Sequence, residues 1–150
     1  EQTRYLVLQL LEAQSIQALY DTFMQSMSRD FNVDHACMIL YGEDAENDGY
    51  RAETVERAKV EIGSLIKGNK AVCGTLRAED LKFLFPEGGE VGSAALMPIY
   101  NGEQLGLLAV GSSDVNRYTS NVGTVFLAHI ADVIVRLLPR FPQTESQSSA

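Results

Sequence analysis

Residues 94–114, AALMPIYNGEQLGLLAVGSSD, decide the fold. Two apolar runs flank Asn101-Gly102, a dipeptide that favours the tight turn of a β-hairpin. A hairpin with one wet face alternates apolar and polar residues, yet these runs are apolar at nearly every position. Pairing across a two-residue turn sets Tyr100 opposite Glu103, Pro98 opposite Leu105, Met97 opposite Gly106 and Ala95 opposite Leu108. One face then carries Ala94, Leu96, Pro98, Leu105, Leu107 and Ala109, and the other Ser93, Ala95, Met97, Leu108 and Val110. Both faces are predicted to be buried, so something must cover each. Pro98 cannot donate to a ladder and marks an edge or a bulge. The small residues Ser93, Ala95 and Gly106 either floor a cavity or admit a close helix.

Outward from the hairpin, the covering elements can be read. Residues 3–30 read as one helix, with Ile16, Leu19, Tyr20, Phe23, Met24, Met27 and Phe31 on one face. Upstream, Tyr5, Leu6, Val7, Leu8, Leu10 and Leu11 wrap most of the circumference, more than one core can bury. A strand follows at 36–41 (ACMILY), then the acidic stretch EDAENDGY, read as a solvated connection without the spacing of a calcium loop. A short strand is expected at 50–54, a helix at 55–67, an extended stretch at 70–76 and a helical turn stopped by Pro86. The hairpin strands take 92–100 and 104–112, and a last helix runs to Pro139, with Thr119 or Ser120 as its cap. The fold class is α+β: a mainly antiparallel sheet with both terminal helices on one face and residues 50–91 over the other.

Composition narrows function. The chain of 150 residues carries a net charge of −8, and its 12 Lys and Arg residues are scattered, so it repels phosphate backbones and no nucleic-acid partner is expected. No apolar run approaches the roughly 20 residues of a membrane span, and no signal peptide is visible. The expected compartment is the cytoplasm, with Cys37 and Cys73 reduced. His35 and His129 belong to no metal-ligand spacing, and neither a metal nor a cofactor is expected. The first residue is Glu1 rather than Met, so the chain is read as a piece of a longer protein.

Val91-Gly92-Ser93-Ala94, Met97-Pro98-Ile99, Gly102, Gly106-Leu107-Leu108-Ala109 and Gly111-Ser112 together resemble the second half of a GAF domain. More closely, VCGTL, the LFP turn, VGSAALMPI, LGLLAVGS and RYTSNVGTVFLAHIADVI look like a bacterial family of short GAF-like proteins with no assigned function. The resemblance spans about residues 15–138. It implies the end of an N-terminal helical or coiled-coil segment at 1–14 and a GAF-like domain at 15–139, and the polar composition of 140–150 predicts a disordered tail.

Chemistry is sparser. Ala71-Val72-Cys73-Gly74-Thr75 resembles the cysteine stretch of free methionine-(R)-sulfoxide reductases, which need a reactive thiolate and a resolving thiol. Those enzymes carry further cysteines before the hairpin, whereas Arg77 to Glu90 has none. Bilin-binding GAF domains usually carry a Cys-His pair, and neither histidine neighbours a cysteine in that way. Arg51, Arg57, Lys59, Lys67, Lys70 and Arg77 either hold an anionic ligand such as a cyclic nucleotide or sit as exposed helix charges. His129, with Asp132 and Arg136, reads as a solvated face of the last helix.

Three expectations follow. The leading one is a non-enzymatic sensory or regulatory domain that forms a homodimer through helices 3–30 and 121–138. It would bind a small molecule between the sheet and residues 50–91, with Arg51, Cys73, Phe83, Ser93, Ala95, Met97 and Leu108 as lining residues. Ligand would bias the helical interface and any attached N-terminal segment. The second is a thiol-based reductase acting through Cys73, the only catalytic residue that reading nominates. The third is a purely structural interaction module.

Overall fold

The computed structural model describes residues 2–42, 50–119 and 122–141. In chain order the elements are α1 (Gln2–Leu11), α2 (Ile16–Arg29), β1 (His35–Tyr41), β2 (Ala52–Glu53), α3 (Val55–Ile66), β3 (Val72–Gly74), α4 (Ala78–Leu84), β4 (Ser93–Tyr100), β5 (Gln104–Ser112) and α5 (Val122–Leu137). A 3₁₀ turn over Leu138–Arg140, with Pro139 inside it, closes the described chain. The acidic connection and the tail from residue 142 lie outside the described residues, as does Ser120.

The strands form one sheet in the order β2-β1-β5-β4-β3, antiparallel throughout except for the short parallel pair β1/β2. The central hairpin forms as the alternation demands, but its register differs from a two-residue turn. Tyr100 pairs with Gln104, an irregularity follows, and Ile99 then pairs with Gly106 and Ala95 with Val110. Gly102 holds the turn at φ +78, and Asn101 N–H bonds to the Glu103 carbonyl. The remaining pairs are offset by two residues from the expected ones. A slip of two keeps every side chain on its face, so both buried faces survive. Leu105, in the irregular stretch, turns instead to the opposite cluster from Leu107. Gly106 does not make room above Met97: a Cβ there would drive into the Ile39 carbonyl of β1. Pro98 sits on the stretch of β4 beyond the end of β3, which covers only Ala94 to Leu96.

Each face has its own cover. Toward the terminal helices, Ala95, Ile99, Leu108 and Val110 meet Leu19, Phe23 and Met27 of α2 and Leu127, Ile130 and Ile134 of α5. Toward the middle segment, Cys37, Ile39, Ala94, Leu96, Leu107 and Ala109 meet Ala58, Ile62 and Ile66 of α3 and Phe83 and Leu84 of α4. Each large apolar side chain so buried contributes about 1.5–3 kcal/mol.

The spacing predicts one helix over 3–30; the structure breaks it before Ile16. Ser15 is extended, and its side chain accepts the Ala18 N–H at 3.0 Å, the N-cap bond that starts a new helix. The break lets α1 dock separately, with Leu6 and Leu10 fully buried in the cluster that holds Phe23 and Ile134. Phe141, beyond the 139 boundary, joins that cluster too.

Candidate functional site

Among the described residues, a cleft of about 320 Å3 opens beside β1, on the edge away from β5. Its walls are Tyr20, Met24 and Ser28 of α2 on one side and Phe85 to Gly88 on the other. Val33 to Met38 form its floor, and Arg51 closes one end. The volume is at the small end of ligand pockets. The chain builds the cleft because β2 is only two residues long and leaves the start of β1 uncovered.

Arg51 organises this corner. Its guanidinium donates to the carbonyls of Phe83 and Leu84, the last residues of α4, and to Glu53 at 3.3 Å and the Cys37 thiol at 3.6 Å. It also lies 5.0 Å from the centre of the Phe83 ring. A cation at the carbonyl end of a helix satisfies acceptors that the helix cannot. Arg51 is therefore a clamp between β2, β1 and α4, with most of its donors engaged. Burial pushes the Cys37 thiol up to about 12, with Arg51 opposing the shift, so this sulfur stays protonated and unreactive. The Tyr20 hydroxyl, at the cleft wall, is also raised by burial.

The other basic candidates do not converge on an anion site. Arg77 pairs through two nitrogens with Asp80, a carboxylate only 2% exposed, which the sequence reading missed because an acid after an arginine looks like surface. Arg57 leans on Phe83 and Glu53, and Lys59, Lys67 and Lys70 are exposed.

The lining residues expected from sequence fall into three places. Arg51 and Phe83 lie together at the clamp. Cys73, Ala95, Met97 and Leu108 belong to the opposite side of the sheet, packed with the terminal helices. Ser93 is a structural tie: its hydroxyl donates to the Asp114 carbonyl at 2.6 Å and accepts the Tyr118 N–H at 3.1 Å. On that face α3 and α4 pack their apolar side chains against the sheet, and the described cleft opens at the side of the sheet.

The two thiols cannot meet. Cys73 pairs with Ala95 on β4 and Cys37 with Ala109 on β5, so β5 and β4 separate them. That is three strand spacings, about 14 Å, against the roughly 7 Å limit between disulfide-bonded Cα atoms. They also point to opposite faces. This fold holds no resolving thiol for Cys73.

His35, expected just before the first strand, is its first residue and tilts against Phe85 with ring centres 5.5 Å apart. Beside it, Asp34 accepts the Ser113 N–H at 2.9 Å and both the Ser112 and Ser113 hydroxyls. These bonds, led by the backbone one, hold its carboxyl below the usual range. The histidine of α5 is exposed near an Arg136–Asp132 ion pair of 3.3 Å. The described residues contain no group of three potential metal ligands and no helix long and apolar enough to cross a membrane.

Among solved structures, the chain is similar to the GAF domain of an Acinetobacter phosphoenolpyruvate-protein phosphotransferase, with 15% identity, a TM-score of 0.69 and coverage of 93% of this chain and 91% of the other. It is also similar to JSC1_58120g3, a far-red absorbing dark state with bound biliverdin IXa, with 16% identity, a TM-score of 0.60 and coverage of 91% and 98%. Likeness at this level of identity establishes the fold. No curated protein matches. The model of the family described as "Protein of unknown function, DUF484" matches residues 1–143. The chain is thus a member of the DUF484 family, and it is built on the GAF-like fold.

Proposed function

We propose that this chain is a non-enzymatic sensory or regulatory domain that pairs with a second copy of itself through α1 and α5 and responds to a small molecule in the β1 cleft. One observation carries the reading: α1 is apolar on two opposite sides. Leu6 and Leu10 are fully buried, while Tyr5, Leu8 and Leu11 remain 56%, 53% and 45% exposed. A helix apolar on both sides needs two partners, and among the described residues only the Leu6 and Leu10 side is covered. On α5, which packs against α1, Val125 is exposed as well. Self-pairing suits such a stripe, since a two-fold interface uses one patch twice.

The cleft is placed to influence that interface. Its wall residues Tyr20 and Met24 belong to α2, which packs on both β1 and α1. A ligand that binds one packing of α2 more tightly than another shifts α1 with it. Redox catalysis has no support here, because the required second thiol is out of reach.

Native mass spectrometry of the freshly purified chain tests the reading. The expected spectrum is a dimer that carries a small additional mass, released on denaturation. A chain that stays monomeric at high micromolar concentration overturns it.

A further inference from the structure

A molecule entering the cleft meets its walls rather than its floor. Met38 is 0% and Cys37 3% exposed, so neither is open to a ligand. On the walls, Tyr20 and Met24 of α2 are half-buried, and Ser28, Pro86 and Glu87 are exposed. Burial does most to raise the Tyr20 hydroxyl, and the Glu87 carboxylate of the opposite wall adds to the shift. The two groups therefore lie within electrostatic reach of each other across the cleft. The charges lining this space do not balance. Arg51 donates to Glu53, to the Cys37 thiol and to the Phe83 and Leu84 carbonyls, so most of its donors are engaged away from the opening. His35 sets its ring against Phe85 and Gly89. Asp34 keeps its charge on Ser112 and Ser113. Among the described residues, Glu87 makes no ion pair.

From this arrangement we infer that the cleft takes a small organic cation, an ammonium group carried on an aromatic body. The Glu87 carboxylate supplies the counter-charge, and the Tyr20 hydroxyl oxygen, on the facing wall, is a second acceptor for the ammonium N–H groups. Met24 gives the body a flexible, polarisable wall that suits an aromatic ring. The net charge of −8 raises the local concentration of cations around the whole chain. An anion of the same size meets the reverse: Glu87 and Asp34 repel it, and Arg51 has little left to offer. The inference rests on the reading of the cleft as a ligand site and names the class of ligand.

The test titrates the purified chain with benzylamine, benzyl alcohol and benzoate, which share a ring and differ in charge. Methyl NMR of the methionines locates the binding, since Met24 lies on the cleft wall and Met97 on β4. Benzylamine is expected to move the Met24 signal more than the Met97 signal, with a Kd of about 1 mM. Benzyl alcohol should bind about fivefold more weakly, and benzoate more weakly still. Glu87→Gln, at an exposed position, should leave the fold intact and bring benzylamine down to the level of the alcohol. Benzoate as tight as benzylamine overturns the inference, as does a preference for the amine that survives Glu87→Gln, or a Met24 signal that none of the probes moves. A neutral or anionic ligand recovered in native mass spectra that moves Met24 overturns the inference alone. A Met24 signal that neither these probes nor any recovered molecule moves sinks the sensing reading as well.

Discussion

The two sides of the sheet close in different ways. Toward α3 and α4 the chain finishes its own packing: Ile62, Ile66 and Leu84 are almost fully buried, and Arg51 and Gln104 tie off the carbonyl ends of the covering helices. Toward the terminal helices the packing is equally tight at the sheet, but the outermost helix still presents Tyr5, Leu8 and Leu11 to solvent. Among the described residues, the first side leaves no exposed apolar stripe, whereas the second leaves one on α1. Stability should therefore reside in both sides, and assembly in one.

Gly106→Ala should have the largest effect. Its new methyl group meets the Ile39 backbone, which cannot move without breaking the β1/β5 ladder. A loss of about 3 kcal/mol or more is expected in urea unfolding; near-wild-type stability would show that the sheet is looser than this register requires.

Arg51→Met should come next, at about 2–3 kcal/mol, because it leaves the Phe83 and Leu84 carbonyls without their charged donor. The side chain is 22% exposed, so solvent compensates only in part. Arg51→Lys should recover little, since an ammonium cannot span the same acceptors as a planar fork. Full rescue by lysine would mean that charge alone holds the completed side together.

An alkaline limb distinguishes the same side again. Cys37 and Tyr41 are both pushed up to about 12 by burial. Each folded value lies above the unfolded one, so the folded state holds more protons in between. Stability should be whole below pH 9 and fall as pH rises toward about 12. Cys37→Ala should flatten the part of this fall that begins near pH 9, where an unfolded thiol loses its proton. An unchanged slope would place the titration elsewhere.

Much of this was legible in the residues themselves. The two apolar faces of the hairpin follow from composition at alternate positions, and a two-residue register slip leaves them intact. The register was not legible, because Asn-Gly serves both two- and three-residue loops and the irregularity at Ile99/Tyr100 leaves no mark in the apolar pattern. The break at Ser15 carried a readable signal, a serine three residues before an available N–H, masked by the apolar period running through it. The cleft was hidden for a different reason. It exists because the β1/β2 ladder begins only at Leu40, and pairing length on a non-local parallel strand leaves no local pattern. Arg51 stood out as a basic residue near the sheet, but its carbonyl partners lie 32 and 33 positions away.

If a second copy completes the terminal-helix side, self-association must depend on the exposed face of α1. Sedimentation velocity at tens of micromolar, on wild type and Leu8→Glu together, tests it most directly. Leu8 is exposed in the single chain, so the substitution should leave the monomer's thermal stability within about 0.5 kcal/mol. Wild type is expected to sediment as a dimer and Leu8→Glu as a folded monomer. A monomeric wild type, or a Leu8→Glu dimer as tight as the parent, would contradict it.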